Sequence, residues 1–358
     1  MLPEQILAVI LVIGIFLYAI LGGADFGVGV WEVITAFKSS EKEKEHLTLA
    51  IGPVWEANHV WLIFILVILF SAFPPVFAAI GRSLWFPLLL ALVGIIFRGV
   101  GFAFRSYVAG MVRQQTLWGA VFSFASTATP FFLGMAFGAA ASGKSGILQN
   151  GDFSGNYLTG WISPFSIFSA FFFVGISTWL SAVYLTREAG SELCSREGEA
   201  PPALPVEGAL PAPIIENKTT LILLWRRRSL VMSVVMGVLA LAGLAIIAND
   251  APFLWNIFKQ RSLIFIVLAM LAGGISLWAL WRNHFMMAAL SSQGLVLSVI
   301  LGWVVAQYPF LIFPLSMEAV KAPPAVLWAM IWSLAIGSVL LIPSLTFLLY
   351  LFKGKKPL

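Results

Sequence analysis

The sequence predicts an all-α polytopic membrane protein of about nine transmembrane helices, arranged as two four-helix bundles plus one peripheral helix. Three observations predict this class. The 358 residues are 60% hydrophobic and only 10% charged, against about 25% charged in average soluble domains. A water-soluble protein this apolar would expose large greasy patches. Apolar stretches of about 20 residues, the length a helix needs to cross a bilayer, recur along the chain. Tryptophan (14) and phenylalanine (30) are abundant, as suits helices anchored by aromatic rings at the membrane interfaces.

The elements follow in order. MLPEQILAVILVIGIF at the N-terminus has no basic leader and no obvious cleavage site, so it reads as the start of a first span, 5–36, and not as a signal peptide. Further spans are expected at 48–72, 77–104, 117–141, 162–186, 229–248, 262–281, 286–308 and 325–352. The first and third exceed the bilayer thickness, which predicts tilt or extension past the interface; the sixth is the shortest. Cations alternate between the connections. Lys38, Lys42, Lys44, Arg105, Arg113, Arg187, Arg226, Arg227, Arg228, Arg282 and the KGKK of 353–356 fall on one side. Arg82, Lys144, Lys259, Arg261 and Lys321 fall on the other. The positive-inside rule then puts the N-terminus outside and the C-terminus in the cytoplasm, which needs an odd number of spans.

The stretch REGEAPPALPVEGALPAP, within 188–225, cannot bury a core and reads as a mobile cytoplasmic linker. It separates an N-terminal bundle of five helices (1–187) from a C-terminal bundle of four (226–358). The net charge of +5 lies in short loops between apolar runs, which is a topology signal and gives no case for nucleic acid. One cysteine, Cys194, excludes a disulfide within the chain and any Cys-rich metal motif. Walker A, GxGxxG, HExxH and CxxCH sequences are absent, and no metal site is predicted.

Ionisable groups within a span cost at least ~2.5–3.5 kcal/mol each at the helix centre, so they face protein or a water cavity. Four stand out: Asp25, Glu56, His59 and Arg98. At ~1.5 Å per residue, Asp25, Glu56 and Arg98 lie roughly 18, 13 and 10 Å from the cytoplasmic ends of their spans. Two carboxylates and an arginine at similar depth predict one polar cluster. In the structural reading, Arg98 neutralises one acid and fixes helix register. One arginine does not offset two carboxylates, however, so Glu56 is read as a proton-passing group, helped by Asp25. Glu56 and His59 are three apart and share a helix face; with Asn58 they can order a short water chain. A plainer role for His59 is an imidazole donating to a backbone carbonyl. A lone histidine can ligate heme, but His46 and His284 fall in or near loops, so no ligand pair faces across the bilayer. Trp55 and Trp61 bracket the polar residues of GPVWEANHVW. Gly23 and Gly27 form a small-xxx-small pair beside Asp25, and Gly134 and Gly138 repeat the device in the fourth span.

DFGVGVW at 25–31, GPVWEANHVW at 52–61, FRGVGFAFRS at 97–106 and FLGMAFG at 132–138 together resemble subunit II of the cytochrome bd quinol oxidases. YPFLIFPLS at 308–316 resembles that family's final loop. The chain departs in its longer, Pro-rich linker, in Glu56 where many relatives carry Asp, and in His59 where others carry Gln or Glu. The resemblance implies a prokaryotic plasma-membrane heterodimer. Subunit I would carry two hemes b, one heme d and the quinol site. The reaction would be quinol oxidation coupled to reduction of O2 to water, with protons drawn from the cytoplasm. This chain would ligate no heme. It would brace subunit I and help conduct protons, with room for a bound structural quinone and a small single-helix subunit. Two alternatives carry the same acids: a proton-coupled secondary transporter and a scaffold without proton conduction. Transporters often show paired broken helices; Pro87 and Pro130 are internal to spans, but no symmetric pair is visible.

Overall fold

The computed structural model describes residues 2–35, 47, 55–108, 111–197 and 212–353. The helices are α1 (Pro3–Thr35), α2 (Trp55–Ala72), α3 (Pro74–Ser83), α4 (Trp85–Tyr107), α5 (Val112–Ser142) and α6 (Pro164–Glu197). They continue as α7 (Ala212–Asp250), α8 (Pro252–Ile257), α9 (Leu263–Trp281), α10 (Phe285–Gln307), α11 (Met317–Val320) and α12 (Pro324–Lys353). A two-stranded hairpin, β1 (Phe310–Ile312) with β2 (Leu315–Ser316), precedes α11. Among the described residues, eight helices are long and apolar enough to cross a membrane, or nine if the bent pair α2–α3 forms one span. The all-helical membrane class is the one expected.

Three boundaries differ from the expected ones, each for a local reason. The third span does not run from 77. Pro74 and Pro75 supply no backbone N–H, so α2 ends at Ala72 and α3 restarts with proline in its first turn. The two axes differ by 117°. Pro87 accordingly falls in the first turn of α4, where proline is tolerated, and not inside a span. The sixth span is not the shortest: α7 has 39 residues. Its arginines do not end it: Arg226 and Arg228 find partners, and Arg227 is exposed. Arg226 donates to the last carbonyls of α9, Leu280 O at 2.8 Å and Trp281 O at 2.7 Å, where helix dipole and orphan acceptors favour a cation. The Arg228 guanidinium lies over Trp225 and Trp31, 4.6 and 5.2 Å from the ring centroids. Lastly, α6 and α7 extend into the expected 188–225 linker from both sides, leaving 198–211 outside the described residues. Trp225, inside that range, is fully buried.

α6 is the hub. α1, α4, α5 and α6 form one four-helix group, α6, α7, α9 and α10 form another, and α2 and α12 flank α1. The core around α6 joins Trp179, Leu180 and Val183 to Met236, Leu280, Ala288 and Val296. Close packing is possible because α6 is rich in small hydroxyl residues. Ser169, Thr178 and Thr186 satisfy their own hydroxyls on the carbonyl four residues back (2.7–2.8 Å), and so present little bulk and no orphan polar group to the neighbours.

At the end of the molecule that holds the N-terminus of α1, Lys321 bridges Glu4 (3.0 Å) and Glu318 (2.7 Å). Hydrogen bonds that it donates to Glu318 first, then to Glu4, raise the Lys321 ammonium above the ordinary lysine range. A pKa raised by folding means that this contact contributes fully below the ordinary lysine value of 10.5 and fades as pH climbs past it. Amide hydrogen exchange in 310–322 is therefore expected to keep a constant protection factor up to about pH 10 and lose protection above it. Lys321→Gln is expected to remove that pH dependence.

Candidate functional site

Two glycine-spaced helices build the site. On α1 the run LGGADFGVGVW places Asp25 between glycines. A Cβ on Gly27 would overlap the Ser177 carbonyl and the Ser181 hydroxyl of α6, and one on Gly29 would overlap Ser126 of α5. Gly23 meets Leu180 and Ser177 only at ordinary contact distance, 3.7–3.8 Å. The close approach therefore runs through Gly27 and Gly29 more than through the Gly23–Gly27 pair. On α4, Gly94 faces Thr129 and Gly101 faces the Phe122 backbone, seating α4 on α5 one turn either side of Arg98. Gly134 and Gly138 let α5 meet Ser169, Ala170 and Ser166 of α6.

Four of the sequence-predicted residues come together where α1, α2 and α4 meet. Asn58 Nδ2 donates to Asp25 Oδ2. Arg98 Nη1 lies 3.1 Å from His59 Nε2. A guanidinium can only donate, so Nε2 accepts, and His59 is the neutral imidazole with its proton on Nδ1. His59 takes up a proton at Nε2 only if Arg98 moves away. Arg98 is fully buried. Its guanidinium is held between two rings, 4.9 Å from the Phe26 centroid and 5.5 Å from that of Phe122, an arrangement its planar cation favours. The Asp25 carboxylate is within electrostatic reach of Arg98. Asp25 and His59 are only partly buried within this chain, whereas Asn58 is buried.

The other predicted residues fall elsewhere. The side chains of Trp55 and Glu56 lie outside the described residues, although both belong to α2. Trp61 packs edge-on against Phe64 (5.9 Å) and takes no part in the polar set. Among the described residues, no three His, Cys, Asp or Glu side chains gather as a metal site. His59 directs Nε2 at the Arg98 cation, and His284 starts α10 with its ring 5.9 Å from that of Trp278.

Two members of the site escape sequence reading. Glu32 pairs with Arg105 (2.8 Å) and accepts from Ser123 Oγ (2.7 Å). Glu32 follows Asp25, and Arg105 follows Arg98, by the same seven residues. Two acid–arginine rungs therefore cross between α1 and α4. The second newcomer is Tyr18, whose ring lies 6.1 Å from His59 and 6.5 Å from Phe26. The heptad spacing of the acids and arginines was the available signal for Glu32; Tyr18 looks like any other aromatic in an apolar run.

A sequence model of the family described as "Cytochrome bd terminal oxidase subunit II" matches residues 3–202. The chain is similar to the cytochrome bd-I ubiquinol oxidase subunit 2 of Escherichia coli, 30% identical over 192 residues, or 51% of this chain and 48% of that protein. It is also similar to the cytochrome bd ubiquinol oxidase subunit 2 of Bacillus subtilis, 37% identical over 133 residues, or 37% of each chain. The matched stretch thus spans about half the length of the first of these relatives. Among solved structures, a chain of the bd oxidase from Geobacillus thermodenitrificans superposes with a TM-score of 0.72 at 21% identity, covering 99% of both chains. At that identity the likeness shows a shared fold.

Proposed function

This chain belongs to the cytochrome bd terminal oxidase subunit II family, and on that premise we propose that it is the second subunit of a quinol:O2 oxidoreductase. In this reading it ligates no heme. It braces a subunit I that carries two hemes b and one heme d, in a prokaryotic plasma membrane. The single observation that carries the reading is the polar set Asp25–Asn58 and His59–Arg98, held within the membrane helices α1, α2 and α4. Such a set is costly inside a bilayer and is the usual mark of an ion or proton path. Asp25 and His59 keep partial exposure in this chain, which suits cover by a partner. Membership of this family leaves the transporter reading without an observation in its favour.

The proposed relay uses Asp25, Glu56 and His59, the last taking part when Arg98 leaves its Nε2. Glu56 stands three residues before His59 in the sequence of α2. Arg98 sets the local potential beside Asp25, and Asn58 orients its carboxylate. Protons enter from the end of the molecule holding the C-terminus of α1, which positive-inside bias places in the cytoplasm. On the opposite side Arg82, Lys144 and Lys321 are matched by Asp152, Asp250 and Glu4, which supports that assignment. A structural quinone and a small single-helix subunit are compatible with this assembly. The test is purification of the tagged chain from native membranes with an optical spectrum. Co-purifying b- and d-type heme bands are expected; a pure chain without heme would overturn the proposal.

A further inference from the structure

Tyr18, Asp25 and Glu32 recur every seven residues on α1. They therefore stand on one face, about 10 Å apart along the axis. Glu32 and Asp25 are matched by Arg105 and Arg98 of α4, whereas the place level with Tyr18 on that helix is Ala91. Tyr18 is the innermost polar group of this column. Gly22, one turn further on, leaves room for its ring: a Cβ there would sit 3.0 Å from Tyr18 Cε2 and 3.6 Å from Cζ. The phenol thus lies along α1 toward the turn that bears Asp25. Its hydroxyl oxygen is buried and has no hydrogen-bond partner among the described residues. It nevertheless interacts electrostatically with both Arg98 and Asp25. A buried hydroxyl left unpaired is costly and is usually completed by an ordered water.

We propose that Tyr18 is a further proton-handling residue, linked to Asp25 through a bound water and passing protons deeper along α1 than the acids reach. In the transfer, protonated Asp25 gives its proton to the intervening water, that water gives one to Oη, and the Tyr18 hydroxyl proton leaves to a water beyond it, so that Asp25 ends as the carboxylate. The phenol is neutral before and after, and no electron moves. The inference rests on the proton-relay reading of Asp25 above and extends it by one residue.

The experiment compares Tyr18→Phe and Asp25→Asn in the heme-loaded complex, measuring O2 consumption per heme d in H2O and D2O. Tyr18→Phe removes one oxygen and keeps the ring against Phe26 and His59. It is expected to slow turnover roughly tenfold, below the ~10²–10⁴ that a positioned proton-transfer group contributes, and to enlarge the solvent isotope effect with the heme spectrum unchanged. Wild-type turnover and isotope effect in Tyr18→Phe, with Asp25→Asn slow, would overturn the role of Tyr18 and leave the relay reading intact. Wild-type rates in both would overturn both. A second probe replaces Tyr18 with 3-fluorotyrosine, whose hydroxyl is more acidic and whose packing is nearly the same. The pH profile of turnover is expected to shift to lower pH. An unchanged profile counts against the proposal even if Tyr18→Phe fails to assemble.

Discussion

Replacing Arg98 by methionine is expected to abolish accumulation of the heme-bearing complex. Methionine matches the length of the arginine stem and adds no bulk, so the loss is electrostatic and not steric. The side chain is fully buried between Phe26 and Phe122. Removing its charge takes the hydrogen-bond donor from His59 Nε2 and the nearby cation from Asp25. Breaking a buried charge pair by deleting one partner costs about 3–5 kcal/mol, a large fraction of the roughly 5–15 kcal/mol that holds a folded domain together. Arg98→Lys should fall between, because the ammonium keeps the charge but lacks the plane that stacks on two rings. Difference spectra of membranes, normalised to expression, check this. Normal heme content in Arg98→Met would mean that the guanidinium is dispensable for the fold.

The second large effect is steric. Gly27→Val is expected to separate α1 from α6, because the added carbons meet the Ser177 carbonyl, which belongs to a helix backbone and cannot rotate away. Overpacking of a tight contact costs about 1–3 kcal/mol even where side chains can yield, and here the whole helix has to move. Since α1 carries Asp25, the displacement also misplaces the polar site. Gly274→Val is the control: a Cβ at that position meets nothing within 4 Å. The complex should lose thermal stability by several degrees or more in Gly27→Val and stay unchanged in Gly274→Val. Equal melting of the two variants would mean that the α1–α6 contact is looser than described.

The class and the heart of the site were legible because charge inside an apolar run is conspicuous. Asp25, Glu56, His59 and Arg98 stand out for that reason; similar depth predicted a cluster of Asp25, Glu56 and Arg98, of which the described side chains, Asp25 and Arg98, lie within electrostatic reach of each other. Which atom meets which was not legible. Sequence spacing suggested Arg98 against a carboxylate, whereas the packing of α4 brings its guanidinium to His59 as well. Glu32 went unnoticed because it lies near a helix end, where a carboxylate has water as an alternative and needs no partner. Tyr18 carried no signal, since an aromatic ring in a membrane span is ordinary until the facing helix is known. The arginines at 226–228 misled in the opposite direction. A window that penalises charge closes there, yet long stems over tryptophan rings and helix-end carbonyls let α7 continue. The prolines at 74 and 75 marked the break before α3, but a hydropathy scan does not register a turn made of apolar residues.

In the proposed relay the Asp25 carboxylate carries protons toward a heme-bearing companion, and proton uptake by the purified Asp25→Asn complex in sealed vesicles tests that most directly. Asn58 can still hydrogen-bond an amide at this position, so assembly and heme content should survive. O2 consumption and the accompanying proton uptake from the side bearing the C-terminus of α1 should both fall at least about tenfold, given the ~10²–10⁴ contribution of a positioned proton-transfer group. Uptake at the wild-type rate, with all hemes in place, would contradict the account.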